Sequence, residues 1–135
     1  MSQSPKDVGV LFPERFYQRC VFGDIRFGNI RPTDIDGTMD IGNRIYIFEV
    51  KHKNAPLTLG QKIHFEKLHA STNKDYRRIT IVATHDTPIG FDVEVDKAIV
   101  TKYLDTDLGE QWNIPFYTMT VWELVQNIER NTHYD

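Results

Sequence analysis

Gly42 and Asn43 constrain this chain more tightly than any other pair of residues. They stand between two runs of strand-forming character, one ending at Ile41 and one running Arg44-Ile-Tyr-Ile-Phe-Glu-Val-Lys51. Two-residue hairpin loops favour residues that accept positive φ, and Gly-Asn is such a pair. With Gly42 and Asn43 as the loop, Ile41 pairs with Arg44. Asp36 then lies opposite Glu49, and Asp34 opposite Lys51. Side chains alternate faces along a strand. Asp34, Asp36, Asp40, Glu49 and Lys51 therefore share one face. Ile35, Met39, Ile41, Tyr46, Phe48 and Val50 share the other, which reads as the buried one. A three-residue loop would shift every pairing by one and remove the match.

Directly opposed residues have Cβ atoms roughly 4.5–5.5 Å apart, and diagonal ones about 7–8 Å. An opposed pair shares one ion more readily, which favours Asp36 over Asp34 as the partner of Glu49. Like charges opposed across a sheet are destabilising, and a bound cation would compensate. The plainer reading is an exposed sheet face on which Lys51 offsets one carboxylate.

At 135 residues, the chain is expected to form one domain over 1–135, large enough for a real core. No apolar run approaches the ~20 residues of a membrane span. Met1 to Val10 lacks a basic stretch followed by an apolar core, so no signal peptide is expected. Cys20 is the one cysteine, which excludes an internal disulfide or a cysteine-rich zinc site. The default expectation is a cytoplasmic protein with no membrane partner. Net charge is −3 but unevenly spread: −1 over residues 1–43, +5 over 44–78 and −7 over 79–135. The positive block comprises Arg44, Lys51, Lys53, Lys62, Lys67, Lys74, Arg77 and Arg78. Such a zone suits phosphate binding on one face of an acidic protein, and equally suits an ordinary solvated surface.

Pro13 opens a predicted helix through Cys20, followed by a short strand at Asp24 to Phe27 and the hairpin over roughly 33–52. A helix is predicted from about Thr58 to Ala70, with Ile63 and Leu68 inward and Lys62, Glu66 and Lys67 mostly outward. Tyr76 to Thr84 reads as a buried central strand. A further strand is expected at Lys97 to Tyr103, a polar loop at Asp105 to Asn113, and a short strand at Pro115 to Met119. Thr120-Val-Trp-Glu123 is a capping box opening a helix to about Asn131, with Val121, Leu124, Val125 and Ile128 as its apolar face. Tyr46, Phe48 and Trp122 read as core residues. The order is that of a mixed α/β domain.

The segments Thr33-Asp-Ile-Asp-Gly37 and Ile47-Phe-Glu-Val-Lys51, followed by Leu59-Gly-Gln61 on the next helix, resemble the PD-(D/E)XK nuclease superfamily over residues 11–85. The resemblance implies a restriction-endonuclease-like fold, a central mixed sheet flanked by helices. It implies that Asp36, Glu49 and the Val50 carbonyl bind Mg²⁺ or Mn²⁺, and that Lys51 orients the attacking water and stabilises charge on the phosphate. It also implies that Gln61 lies near the metal or DNA. Glu14 would be a further metal ligand, or simply a favourable charge in a helix's first turn. Pro32 stands next to Thr33-Asp34 rather than Asp36, so Asp34 remains an alternative ligand.

The implied activity is metal-dependent DNA endonuclease cleavage, by in-line hydrolysis leaving a 5′-phosphate. A chain this small does not surround a duplex alone, which makes a homodimer or a partner protein plausible. The alternative is a noncatalytic nucleic-acid-binding or assembly module on the same fold. His52, His64 and His69 form neither HxH nor HExxH, so zinc is not expected, and they read as surface residues.

Overall fold

The computed structural model describes residues 35–53 and 55–132. Glu14, Pro32 and Asp34, the predicted helix at 13–20 and the predicted strand at 24–27 lie outside that range. The described residues form a small α/β unit: strands β1 (Gly37–Ile41) and β2 (Arg44–His52), helix α1 (Leu59–Ala70), strands β3 (Arg77–His85) and β4 (Ile99–Asp105), and helix α2 (Val121–Arg130). Short 3-10 turns at Val95–Lys97 and Thr106–Leu108 flank β4. The sheet order is β1-β2-β3-β4. β1/β2 and β3/β4 are antiparallel and β2/β3 is parallel. A parallel pair needs a crossover, and α1 supplies it.

The hairpin has the expected register, with Ile41 paired to Arg44 and Gly37 to Phe48. Gly42 takes φ +59°, a conformation glycine adopts without the Cβ clash that penalises other residues. It occupies the first loop position, as in a type II′ turn.

Both faces of β2 are covered. On one, Tyr46, Ile79, Ile81, Ala83 and Val100 meet Val121, Leu124, Val125 and Ile128 of α2, with Met39, Ile41, Phe48 and Val50 packed alongside. The apolar face expected of the hairpin is thus real, except that Ile35 is exposed at its margin. Thr120 and Glu123 form the expected capping box of α2: Glu123 N–H donates to Thr120 Oγ1 at 3.1 Å and Thr120 N–H to Glu123 Oε1 at 3.0 Å.

The other face departs from the sequence expectation. It is not open to water: Ile47 and Glu49 are buried on it, and α1 crosses this side of the sheet, packing chiefly on β3 with Phe65 and His69 buried. Ile63, expected inward, is 43% exposed, and Phe65 takes its place. His69, expected on the surface, is buried and its Nε2 lies 2.6 Å from the Gly109 carbonyl oxygen. Pro115 to Met119 forms no strand. The chain instead returns to β4 by single bridges, Tyr103 to Asn113 and Ile99 to Thr120. Trp122, expected in the core, is 54% exposed and lines a groove of about 530 Å³ with Met39, Phe48, Val93 and Val121. It sits one residue off the apolar stripe of α2, on its solvent side.

Three arginines of the basic block serve the fold. Arg44, buried, donates from Nε and Nη2 to Glu129 on α2 at 2.8 and 2.6 Å. Tyr46 donates its hydroxyl to the same carboxylate at 2.6 Å, and burial pushes the tyrosine pKa upward. Arg77 grips Asp105 at 2.9 and 2.7 Å, and Arg78 donates to the Leu68 carbonyl. Paired, hydrogen-bonded charges are the form in which a protein interior tolerates ionised groups. The exposed cations remaining from the block are Lys53, Lys62, Lys67 and Lys74.

Candidate metal centre

The hairpin register and the crossover helix bring four of the sequence-predicted residues together. Asp36 immediately precedes β1, whose pairing with β2 begins at Gly37 and Phe48. Its Oδ2 accepts from the Val50 N–H at 2.7 Å. That bond ties the exposed end of β1 to β2 and fixes one oxygen of the carboxylate. Glu49 and Lys51 lie two residues apart on β2, on the face turned to α1.

Gln61, in the first turn of α1, joins these two side chains. Lys51 Nζ donates to Gln61 Oε1 at 2.6 Å, and Gln61 Nε2 donates to Glu49 Oε2 at 3.2 Å. Lys51 Nζ also stands 3.4 Å from Glu49 Oε2. The two oxygens of Glu49 are therefore unlike. Oε2 is held by Gln61 and Lys51, whereas Oε1 is buried and has no hydrogen-bond partner among the described residues. An orphaned buried carboxylate oxygen is costly, and such orphans call for a ligand or a proton.

Electrostatics agree. Glu49 is only 4% exposed. Burial holds its carboxyl above the ordinary glutamate range, and the charge of Asp36 pushes it the same way, while Lys51 and Gln61 pull it down. A cation would offset both raising effects at once.

The donor set fits a hard divalent ion. Mg²⁺ takes oxygen ligands, keeps several waters and is commonly bound through one or two carboxylates. Among the described residues no group of three or more His, Cys, Asp or Glu side chains is placed to hold a metal ion, and the candidate ligand set there consists of two carboxylates. Glu14, the candidate additional acid, lies outside the described residues. The ring of His52 packs on that of His85 at 5.3 Å between centroids, at the end of the β2/β3 pair, and His69 is bound to the Gly109 carbonyl.

One functional element escaped the sequence reading. Thr58 caps α1 in a second capping box: Gln61 N–H donates to Thr58 Oγ1 and Thr58 N–H to Gln61 Oε1, both at 3.1 Å. The signal was legible, since Thr58-x-x-Gln61 has the same spacing as Thr120-x-x-Glu123. The arginine pairs had no such signal, because Arg44 and Glu129 are joined only by the packing of α2 on the sheet.

No helix among the described residues is long and apolar enough to cross a membrane. No family model matches the chain, and comparison with curated proteins and with solved structures finds no significant match.

Proposed function

We propose that this protein is a metal-dependent DNA endonuclease with a restriction-endonuclease-like core, of the PD-(D/E)XK kind. The observation that carries the reading is the orphaned Glu49 Oε1, buried within reach of the Asp36 charge, with Lys51 Nζ 3.4 Å from the other oxygen. A carboxylate kept in that state for stability alone would be a poor choice, since an apolar residue or glutamine would cost less.

Asp36 and Glu49 would hold Mg²⁺ or Mn²⁺, with the Val50 carbonyl as the further ligand that the family resemblance implies. When bound there, such an ion supplies Lewis-acid polarisation of a phosphoryl oxygen and acidifies coordinated water. The chain's own groups do the rest. Gln61 keeps Glu49 Oε2 occupied, which leaves Oε1 as the oxygen that would bind an ion. Lys51 places fixed positive charge beside the carboxylates, where non-bridging phosphate oxygens gain negative charge in the transition state. Its bond to Gln61 stops the flexible stem from sweeping away from that position. The exposed Lys53 and Lys67 lie on β2's exit and on α1, and would contact the nucleic-acid backbone on either side, whereas Lys62 is paired with Glu66 at 2.9 Å. A second copy or a partner protein would complete the grip on a duplex.

The experiment is incubation with supercoiled, linear, single-stranded and branched DNA in Mg²⁺, Mn²⁺ or EDTA, beside the Glu49→Gln protein. Nicking that needs the metal and is lost in Glu49→Gln is expected. Metal-independent DNA binding without turnover would replace this reading by a noncatalytic binding or assembly module.

A further inference from the structure

We propose that Thr58 is a positioning residue for the metal centre, acting through Gln61; the inference rests on the nuclease reading for its consequence in turnover. Thr58 touches neither Glu49 nor Lys51. It sets the residue that touches both. The carbonyl oxygen of Gln61 has two lone pairs, and both are used: one by the Thr58 N–H at 3.1 Å, the other by Lys51 Nζ at 2.6 Å. The amide nitrogen of the same side chain donates to Glu49 Oε2. The Gln61 backbone N–H is anchored in turn on Thr58 Oγ1. The helix cap and the site are thus one hydrogen-bonded unit, with Gln61 as the link between them.

Two features make the hydroxyl matter here. Gly60 lies between Thr58 and Gln61, and glycine weakens a helix turn by about 1 kcal/mol relative to alanine. The first turn of α1 also has no buried apolar side chain: Leu59 and Ile63 are exposed, and burial begins at Phe65. The cap therefore holds the very turn that carries Gln61. Without the hydroxyl, the Gln61 amide loses its direction. Lys51 and Glu49 then lose the clamp that keeps Nζ on one oxygen and leaves the other bare. α2 supplies an internal control. Its capping box has the same geometry, but Glu123 is exposed and its helix packs on the opposite face of the sheet from Glu49.

The test compares Thr58→Ala, Thr58→Ser and Thr120→Ala in three readouts: the Gln61 side-chain amide resonances, Mn²⁺ affinity by calorimetry, and kcat and KM for plasmid nicking. Thr58→Gly is included because glycine is a tolerated N-cap and removes the hydroxyl with little loss of the helix, should Thr58→Ala not fold. Thr58→Ala and Thr58→Gly should shift the Gln61 amide and weaken Mn²⁺ binding. They should lower kcat about ten- to a hundredfold, the scale of a small misplacement of catalytic groups, with KM within about twofold. Thr58→Ser should restore all three. Thr120→Ala should lower the Tm comparably while leaving every one of these unchanged. Thr58 variants that leave the Gln61 amide, Mn²⁺ affinity and kcat at wild-type values overturn the proposal. If the wild-type protein does not cut DNA at all, the nuclease reading fails. The coupling is then judged by the amide resonance alone, which either moves in Thr58→Gly and returns in Thr58→Ser or refutes it.

Discussion

The two faces of the sheet are built on opposite principles. Against α2 the sheet presents Tyr46, Ile79, Ile81 and Val100, and the helix answers with Val121, Leu124, Val125 and Ile128. Against α1 it presents Glu49 and Lys51, and the helix answers with Gln61 at one end and Phe65 further along. The α2 face removes apolar surface from water, the dominant favourable effect in folding. The α1 face spends buried volume on a glutamate with an orphaned oxygen. A fold tolerates one such face when the other supplies the stability, and local violations of packing rules are expected at functional sites.

That contrast is open to attack in several ways. The largest effect should come from Leu124→Ala, which hollows the α2 face. It should destabilise the protein by about 2–5 kcal/mol, read by chemical denaturation, while Mn²⁺ affinity per folded molecule stays constant. A fall in affinity at this position would mean that the two faces are not separable.

Lys51→Ala attacks the other face. Turnover should fall on the order of a hundred- to a thousandfold, the scale for loss of a fixed charge at a developing oxyanion, and without metal the fold should lose up to about 3 kcal/mol, because the buried Glu49 loses its charge partner. Removing the ammonium leaves both acids and makes the site more negative, so metal affinity should hold or rise. Nicking at the wild-type rate would make Lys51 a structural partner of Glu49 and no more.

Glu49→Gln tests whether the site is a standing cost to the fold. The folded-state pKa of Glu49 is raised, so the folded protein holds this proton more tightly than the unfolded chain does. The associated stability is present below the ordinary glutamate pKa and is lost as pH rises through the folded-state value. In EDTA at pH 8, Glu49→Gln should melt at or above the wild-type temperature, with a flatter dependence between pH 4 and pH 8. Wild type should gain stability in Mg²⁺ or Mn²⁺, about 2.7 kcal/mol at a hundredfold excess over Kd, and Glu49→Gln should gain much less. A Glu49→Gln protein that melts well below wild type in EDTA would show that the carboxylate is structural.

The smallest effect concerns the surface. Lys67→Glu on α1 should weaken DNA binding and make the slope of log affinity against log salt shallower by about 0.9 for every phosphate no longer neutralised. Lys97→Glu should do less, since Lys97 already pairs with Glu94 at 2.9 Å. The reverse order would put the nucleic acid on the other side of the molecule.

Much of this was legible in the chain, and the reasons differ by region. The hairpin register followed from Gly42-Asn43 because two-residue loops admit few geometries, and one register places all the later pairs. α2 followed from its capping box and apolar spacing, both local signals. α1 was harder. Its apolar residues have no clean stripe, so the spacing suggested Ile63 where the structure buries Phe65. Trp122 failed for a related reason: a large aromatic beside an apolar stripe reads as core, yet its angular position on α2 turns it outward. The basic block misled in part because charge counts carry no information about pairing. Arg44 and Arg77 found Glu129 and Asp105 through strand and helix packing, which joins segments remote in sequence.

By itself the sequence determined the hairpin, the two helices α1 and α2 and the strands β3 and β4, since backbone sterics, side-chain alternation and helix capping act over a few residues. It therefore also determined that Asp36, Glu49 and Lys51 come near one another. Only the tertiary structure decided that Glu49 is buried while Asp36 stays exposed. β2 became an inner strand flanked by β3, and α1 crossed over the polar face instead of leaving it to water. Placing Gln61 on Lys51 and Glu49 depends on where that crossover lands, and so does the difference between the two oxygens of Glu49. Desolvation set Glu49 apart from Asp36, and desolvation is a property of what packs above a residue, which no local pattern encodes.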